Sequence, residues 1–110
     1  ITANHSEGIF IGNYVQMARG TFVHATNHKT DNIDIPIMQQ GVSSAKINFK
    51  DRLYSIVIED DVWIGSNTII LSGTHLKKGC VVSAGSVISG TYETYSVIGG
   101  NPGRVIKKRN

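Results

Sequence analysis

The residues of this 110-residue chain best suited to chemistry are four histidines, one cysteine and a cluster of cations near one end. An imidazole titrates close to neutrality, so His5, His24, His28 and His75 are each candidates for a general base. His28 has the most suggestive position. A regular repeat dissolves there into a long non-repeating stretch, so its side chain can leave a packed core and face a cleft. Arg104, Lys107, Lys108 and Arg109 are four of the eleven basic residues and lie within the last seven positions. Such a cluster is either a solvated end or a local site for phosphate groups. The lone cysteine, Cys80, occupies a small-residue position of the repeat and reads as structural, not as a nucleophile. A single cysteine also excludes an internal disulfide framework and a CxxC-type zinc site.

The element that must position these groups is a hexapeptide period. Ile58, Ile64, Ile70, Leu76, Val82 and Ile88 stand six residues apart, and Val62, Thr68, Thr74, Cys80 and Ser86 follow the first five at a distance of four. Ile11, Met17 and Val23 begin the same series earlier, with Val15 and Thr21 in phase. A helix wants a period of 3.6 and an exposed strand a period of 2, so six fits neither. Six residues make a short strand plus a corner. Three hexads then close one triangular turn, and nine hexads wind three turns joined by parallel strand pairing. The expected result is one continuous aliphatic column, with glycines such as Gly73, Gly79 and Gly85 at corners that need positive φ. The period is expected to end after Ile88. The stretch 29–55 carries no repeat and little helical periodicity, and a loop of that length in so regular a structure reads as functional. Gly99–Pro102 marks a turn before the basic end.

Composition narrows the class. With 40% hydrophobic and 17% charged residues and a formal net charge of +3, the chain is neither disordered nor membrane-embedded. No apolar run of about 18 residues is present, which excludes a transmembrane helix. The small charge excess gives no reason to expect nucleic acid. The opening ITANHSEG lacks a basic segment and an apolar core, so no signal peptide and a cytoplasmic location are expected. A first residue of Ile rather than Met suggests a piece of something longer.

IEDDVWIGSNTIILSGTHLKKGCVVSAGSVIS, then YSVIGGNPGRVIKKR, resembles the hexapeptide-repeat acetyltransferases, and IGNYVQMARGTFVHATNH fits the same family upstream. The resemblance covers residues 11 to 109. It implies an all-β fold: a left-handed parallel β-helix with one long excursion loop and a short C-terminal segment, forming a single domain over residues 1–110. It implies a homotrimer with active sites between subunits, and acetyl-CoA as acetyl donor. In the galactoside- and maltose-type members the catalytic histidine lies seventeen residues after the Ile of an IG hexad, which is the separation of His28 from Ile11. The resemblance assigns Trp63 to the cleft, the Ser66 backbone N–H to the thioester oxygen, Ala84 and Ser89 to the pantetheine arm, and Arg104 and Lys107 to the cofactor phosphates. Lys108 and Arg109 are weaker candidates for the phosphates.

The resemblance leaves the acceptor open. Asn27-His28-Lys29-Thr30-Asp31 followed by Pro36 is similar to a stretch of the antibiotic-modifying members, while the ending is also similar to enzymes that decorate bacterial surface sugars. A carbohydrate hydroxyl is the expected acceptor. The alternatives are a streptogramin- or chloramphenicol-type antibiotic, an amino sugar acetylated on nitrogen, or a non-catalytic solenoid scaffold. His24 could flank the site, and Asn4 could contact the acceptor. Zinc enzymes also use this solenoid, with three histidines as ligands. His75 does not fit the GHxxxxHG-like hexads of those enzymes, so no metal is expected.

Overall fold

In the computed structural model, residues 8–110 are described. Asn4 and His5 lie outside the described residues. The chain begins a triangular coil with β1 (Ile9–Ile11), β2 (Gln16–Met17) and β3 (Phe22–Val23). It then leaves the coil through β4 (Asn27–His28), β5 (Val42–Ser43), β6 (Ile47–Phe49) and β7 (Arg52–Tyr54). The second coil is β8 (Ile56–Ile58), β9 (Trp63–Ile64) and β10 (Ile69–Ile70); the third is β11 (His75–Leu76), β12 (Val81–Val82) and β13 (Val87–Ile88). A partial fourth coil follows as β14 (Thr91–Tyr92) and β15 (Ser96–Gly99), and β16 (Arg104–Lys108) folds back antiparallel on β15.

Each side of the triangle is a parallel sheet. The first face stacks β1, β8, β11 and β14; the second stacks β2, β9, β12 and β15; the third stacks β3, β10 and β13. The single aliphatic column expected from the sequence is therefore three columns. A step of six advances one face, so a residue stacks on the one eighteen positions later. Ile58 aligns with Leu76, Ile64 with Val82 and Ile70 with Ile88. All six are at most 1% exposed. Burial of each such side chain contributes about 1.5–3 kcal/mol, and β-branched residues suit these short pleated strands.

The expected end of the period at Ile88 is also corrected. Tyr92 aligns with Leu76, and Ile98 with Val82, so the columns continue upward. The step from Ile88 to Tyr92 is four residues, and the regular six returns from Tyr92 to Ile98. The longer Tyr92 side chain reaches across this shortened corner. Its hydroxyl donates to the carbonyls of Ser89 at 3.1 Å and Gly103 at 2.8 Å.

The corners explain the small-residue series. Thr68, Thr74 and Ser86 are buried, and each donates its hydroxyl to the carbonyl three residues earlier, at 2.9, 2.7 and 2.7 Å. Each hydroxyl thereby pairs with a backbone acceptor of its own turn instead of being buried unsatisfied. The residue before each of these takes a positive φ. Gly73 and Gly85 supply it at 92° and 76°, and Asn67 at 57°. One corner column instead contains Tyr14 at 59°, Asp61 at 58°, Gly79 at 78° and Tyr95 at 62°. A left-handed tyrosine costs about 1–2 kcal/mol relative to glycine.

The excursion is not structureless. β4 and β5 form one antiparallel hairpin and β6 and β7 another. In the second, Phe49 packs on Phe10 at 4.9 Å and on the His75 ring at 5.7 Å, which lays the hairpin over the outside of the first face. A polar knot ties both ends of the excursion to the coil. The buried Ser55 hydroxyl donates to the Ala25 carbonyl and lies 2.8 Å from the Ser72 hydroxyl, which accepts the Ala45 N–H at 2.8 Å.

Candidate active site

The second face places Trp63 in a row of outward side chains. Gln16, Trp63, Val81, Val97 and Lys107 are register partners on successive strands. Trp63 is 54% exposed. With strands about 4.8 Å apart, β16 stands about 14 Å from β9. The row therefore runs from an exposed indole, across two valines, to a cation. Arg104 and Lys107 lie on fully exposed β16, and among the described residues neither makes an ion pair or a side-chain hydrogen bond. Lys108 and Arg109 are engaged with the coil. Lys108 donates to the Thr94 carbonyl at 2.9 Å, and Arg109 to the Gly79 carbonyl at 3.0 Å and the Asp61 carboxylate at 3.3 Å.

The corner beside this row holds Ser66 and Ala84. A groove of ≈ 350 Å³ is lined by Trp63, Ser66, Val81, Ser83 and Ala84, among others. Successive coils touch here: a Cβ on Gly65 would lie 2.6 Å from the Ala84 nitrogen, so only glycine fits. The Ser66 carbonyl accepts the Gly85 N–H at 2.9 Å. Among the described residues no acceptor pairs with the Ser66 N–H, leaving it available as a donor. Ser89 stands elsewhere, at the corner after the third face. It is exposed, its carbonyl is used by Tyr92, and it does not line this groove.

His28 is exposed on β4 and lines a cavity of ≈ 430 Å³ with Lys29, Thr30, Asp31 and Ser43. The neighbouring turn is organised by Gln40, whose amide donates to the carbonyls of Asn32 at 2.7 Å and Ile35 at 2.6 Å. The cavity of His28 excludes Trp63, and the cavities lined by Trp63 exclude His28. Within one chain, the imidazole and the Trp63–Ser66 groove are thus not brought together.

The other candidates are occupied structurally. His75 lies on β11, and its Nε2 is 2.6 Å from the Glu59 carboxylate. His24 stacks on Phe22 with ring centroids 5.4 Å apart. Cys80 is buried, and its thiol donates to the Glu93 carbonyl at 3.2 Å. Burial pushes the Cys80 thiol above its ordinary pKa, outweighing nearby backbone donors and Lys108. Among the described residues no three His, Cys, Asp or Glu side chains are placed to hold a metal ion. No helix among them is long and apolar enough to cross a membrane.

Sequence reasoning missed Tyr14 and Gln16, which line a cavity on the far side of Trp63. Gln16 could have been found by counting register, because it precedes Met17 as Trp63 precedes Ile64.

Comparison with known proteins agrees with the coil. Residues 55–89 match the family model described as the hexapeptide repeat of succinyl-transferase. The chain is 33% identical over 101 residues to a probable acetyltransferase of Mycobacterium tuberculosis, covering 92% of this chain and 31% of that protein. It is 31% identical over 108 residues to a chloramphenicol acetyltransferase of Klebsiella aerogenes, covering 92% of this chain and 51% of that one. Among solved structures, a galactoside acetyltransferase in complex with coenzyme A superposes with a TM-score of 0.73 at 28% identity, covering 93% of this chain and 46% of that one. The chain spans from 31% to 51% of the length of these proteins. The shared architecture is the left-handed parallel β-helix.

Proposed function

The chain belongs to the hexapeptide-repeat, left-handed β-helix acetyltransferase family, and from that premise we propose that it transfers an acetyl group from acetyl-CoA to a hydroxyl of a carbohydrate acceptor. The row from Trp63 to Lys107 on the second face carries this reading. An elongated thioester carrier needs an anion site at one end, a narrow apolar track, and a donor-lined slot at the other. Arg104 and Lys107, which make no ion pair among the described residues, are cations suited to phosphate oxygens. Val81 and Val97 make the track, with Ala84 small enough at the corner for a thin arm to pass. Trp63 closes the reactive end. Ser89 lies off this track, and we assign it a contact only along the far edge of the arm. The galactoside acetyltransferase that superposes on this chain has coenzyme A bound, which supports the choice of carrier.

His28 acts as the general base. Its imidazole takes the proton from the acceptor hydroxyl while that oxygen attacks the thioester carbon. The Ser66 N–H donates to the thioester oxygen as negative charge develops there. The C–S bond breaks, and the imidazolium returns its proton to the departing sulfur. No metal is required by these steps. Because His28 and Trp63 line separate cavities in one chain, this chemistry needs the imidazole of one copy beside the groove of the next. A homotrimer with inter-subunit sites provides that arrangement, in a cytoplasmic setting. Sedimentation as a monodisperse monomer at micromolar concentration would contradict it.

A second reading has its own support. Ile33 and Met38, on the same excursion as His28, are 94% and 86% exposed. Such apolar surface suits a hydrophobic acceptor, and one relative is a chloramphenicol acetyltransferase. An amine acceptor on a sugar would use the same base. Free-thiol release from acetyl-CoA, scored against sugars, sugar nucleotides, amino sugars, chloramphenicol and a streptogramin, separates these acceptors. Turnover with a sugar hydroxyl is the expected result. Failure to bind acetyl-CoA in equilibrium dialysis would leave the scaffold alternative.

A further inference from the structure

We propose that the cavity on the far side of Trp63, lined by Tyr14, Gln16, Asp61, Trp63 and Arg109, is a saccharide-binding site in which Tyr14 is a stacking residue. This rests on the carbohydrate reading above and deepens it. The cavity holds ≈ 680 Å³, room for a sugar ring. Its lining combines two exposed aromatic faces with an amide, a carboxylate and a guanidinium. Aromatic faces pack against the C–H faces of a pyranose, while the polar groups exchange hydrogen bonds with its hydroxyls. The cavity runs along the corner that enters the second face, from Tyr14 and Gln16 at β2 past Val81 of β12 to Arg109, the residue after β16. A ring bound there abuts the end of the carrier track nearest Trp63.

Tyr14 supplies the second, independent observation. It adopts φ 59° in a corner column where Gly79 and Asp61 adopt the same conformation more easily. Tyr95 shares that column and is compensated: its ring lies over Gly79 and 5.8 Å from the Arg109 guanidinium carbon. Tyr14 is 86% exposed, and among the described residues its ring has no aromatic or cationic neighbour. A large side chain held in a costly conformation, without burial to offset it, fits a role in contacting a ligand. Arg109 donates to the Asp61 carboxylate at 3.3 Å, so two polar groups of the lining stand side by side.

Tyr14→Gly removes the ring and relieves the backbone, so it separates binding from folding. The probe is β-galactotriose. Its binding to protein without acetyl-CoA is followed by saturation-transfer NMR, and its KM by thiol release. The expected result is loss of the transfer signal and a rise in KM on the order of ten-fold, the size of one lost aromatic contact. The KM for acetyl-CoA stays constant, the melting temperature is unchanged or higher, and Tyr14→Phe behaves as the wild type. Unchanged galactotriose binding in Tyr14→Gly overturns the proposal. So does a lowered melting temperature, which would make the ring structural, or a KM effect confined to acetyl-CoA, which would make the cavity a nucleotide site. Absence of any transfer signal with wild-type protein also overturns it. Wild-type binding of galactotriose without acetyl transfer would defeat the catalytic reading and leave this site standing.

Discussion

Tyr92 donates its phenolic hydrogen to the Gly103 carbonyl at 2.8 Å, and this bond joins the last turn of the coil to the segment that carries the cations. Tyr92 also stands in register above Leu76. One side chain therefore ends an apolar column and anchors the start of β16.

Tyr92→Phe keeps the ring and removes the donor. Two carbonyls, those of Ser89 and Gly103, then lose their partner. A cost of about 1–2 kcal/mol is expected, read as a lower midpoint in urea unfolding at constant slope. The KM for acetyl-CoA should rise as well, because the segment bearing Arg104 is less firmly held.

Arg104→Ala and Lys107→Ala should each raise the KM for acetyl-CoA more than that for the acceptor. Both side chains are exposed and, among the described residues, make no ion pair or side-chain hydrogen bond, so stability should stay within about 0.5 kcal/mol of the wild type. Arg109→Ala serves as the contrast. It breaks contacts to Asp61 and Gly79, and steady-state kinetics alongside thermal melts should show a loss of stability there.

Cys80 gives a pH prediction. Its thiol is raised from the ordinary value of 9.0 by burial, so the folded protein keeps it neutral where the unfolded chain ionises it. The folded state therefore binds more protons in that range. The contribution to stability is fully present below the unfolded pKa and is lost as pH rises through the folded one. Urea midpoints should fall above about pH 9, and Cys80→Ala should flatten that fall. A thiol reagent such as DTNB should react with native protein at neutral pH only as fast as the protein opens.

Much of the coil is legible in the sequence because its physics is local and periodic. Every aliphatic residue from Ile58 to Ile88 that was read at a spacing of six is buried at 1% or less. The grouping into three columns was not evident, since a linear period does not reveal which face each residue occupies. The fourth coil escaped because one corner is two residues short and its column residue is Tyr92, not an aliphatic. Corners at Tyr14, Asp61 and Tyr95 escaped because positive φ is usually signalled by glycine or asparagine. The β6–β7 hairpin escaped for the same reason, since its turn uses Lys50 and Asp51 at φ 51° and 64°. For the site, motif resemblance singled out Trp63, Ser66, Ala84, Arg104 and Lys107, but only sheet register aligns Trp63 and Lys107 in one row. Tyr14 carries no motif, and its exposure and strain appear only in three dimensions.

The catalytic assignment of His28 is tested most directly by the turnover of His28→Ala, followed as thiol release from acetyl-CoA at saturating acceptor. His28 is exposed on a two-residue strand, so the variant should keep its fold and its KM for acetyl-CoA. Removal of the base should lower kcat on the order of 10²–10⁴-fold. Turnover equal to that of the wild type would contradict the proposed mechanism.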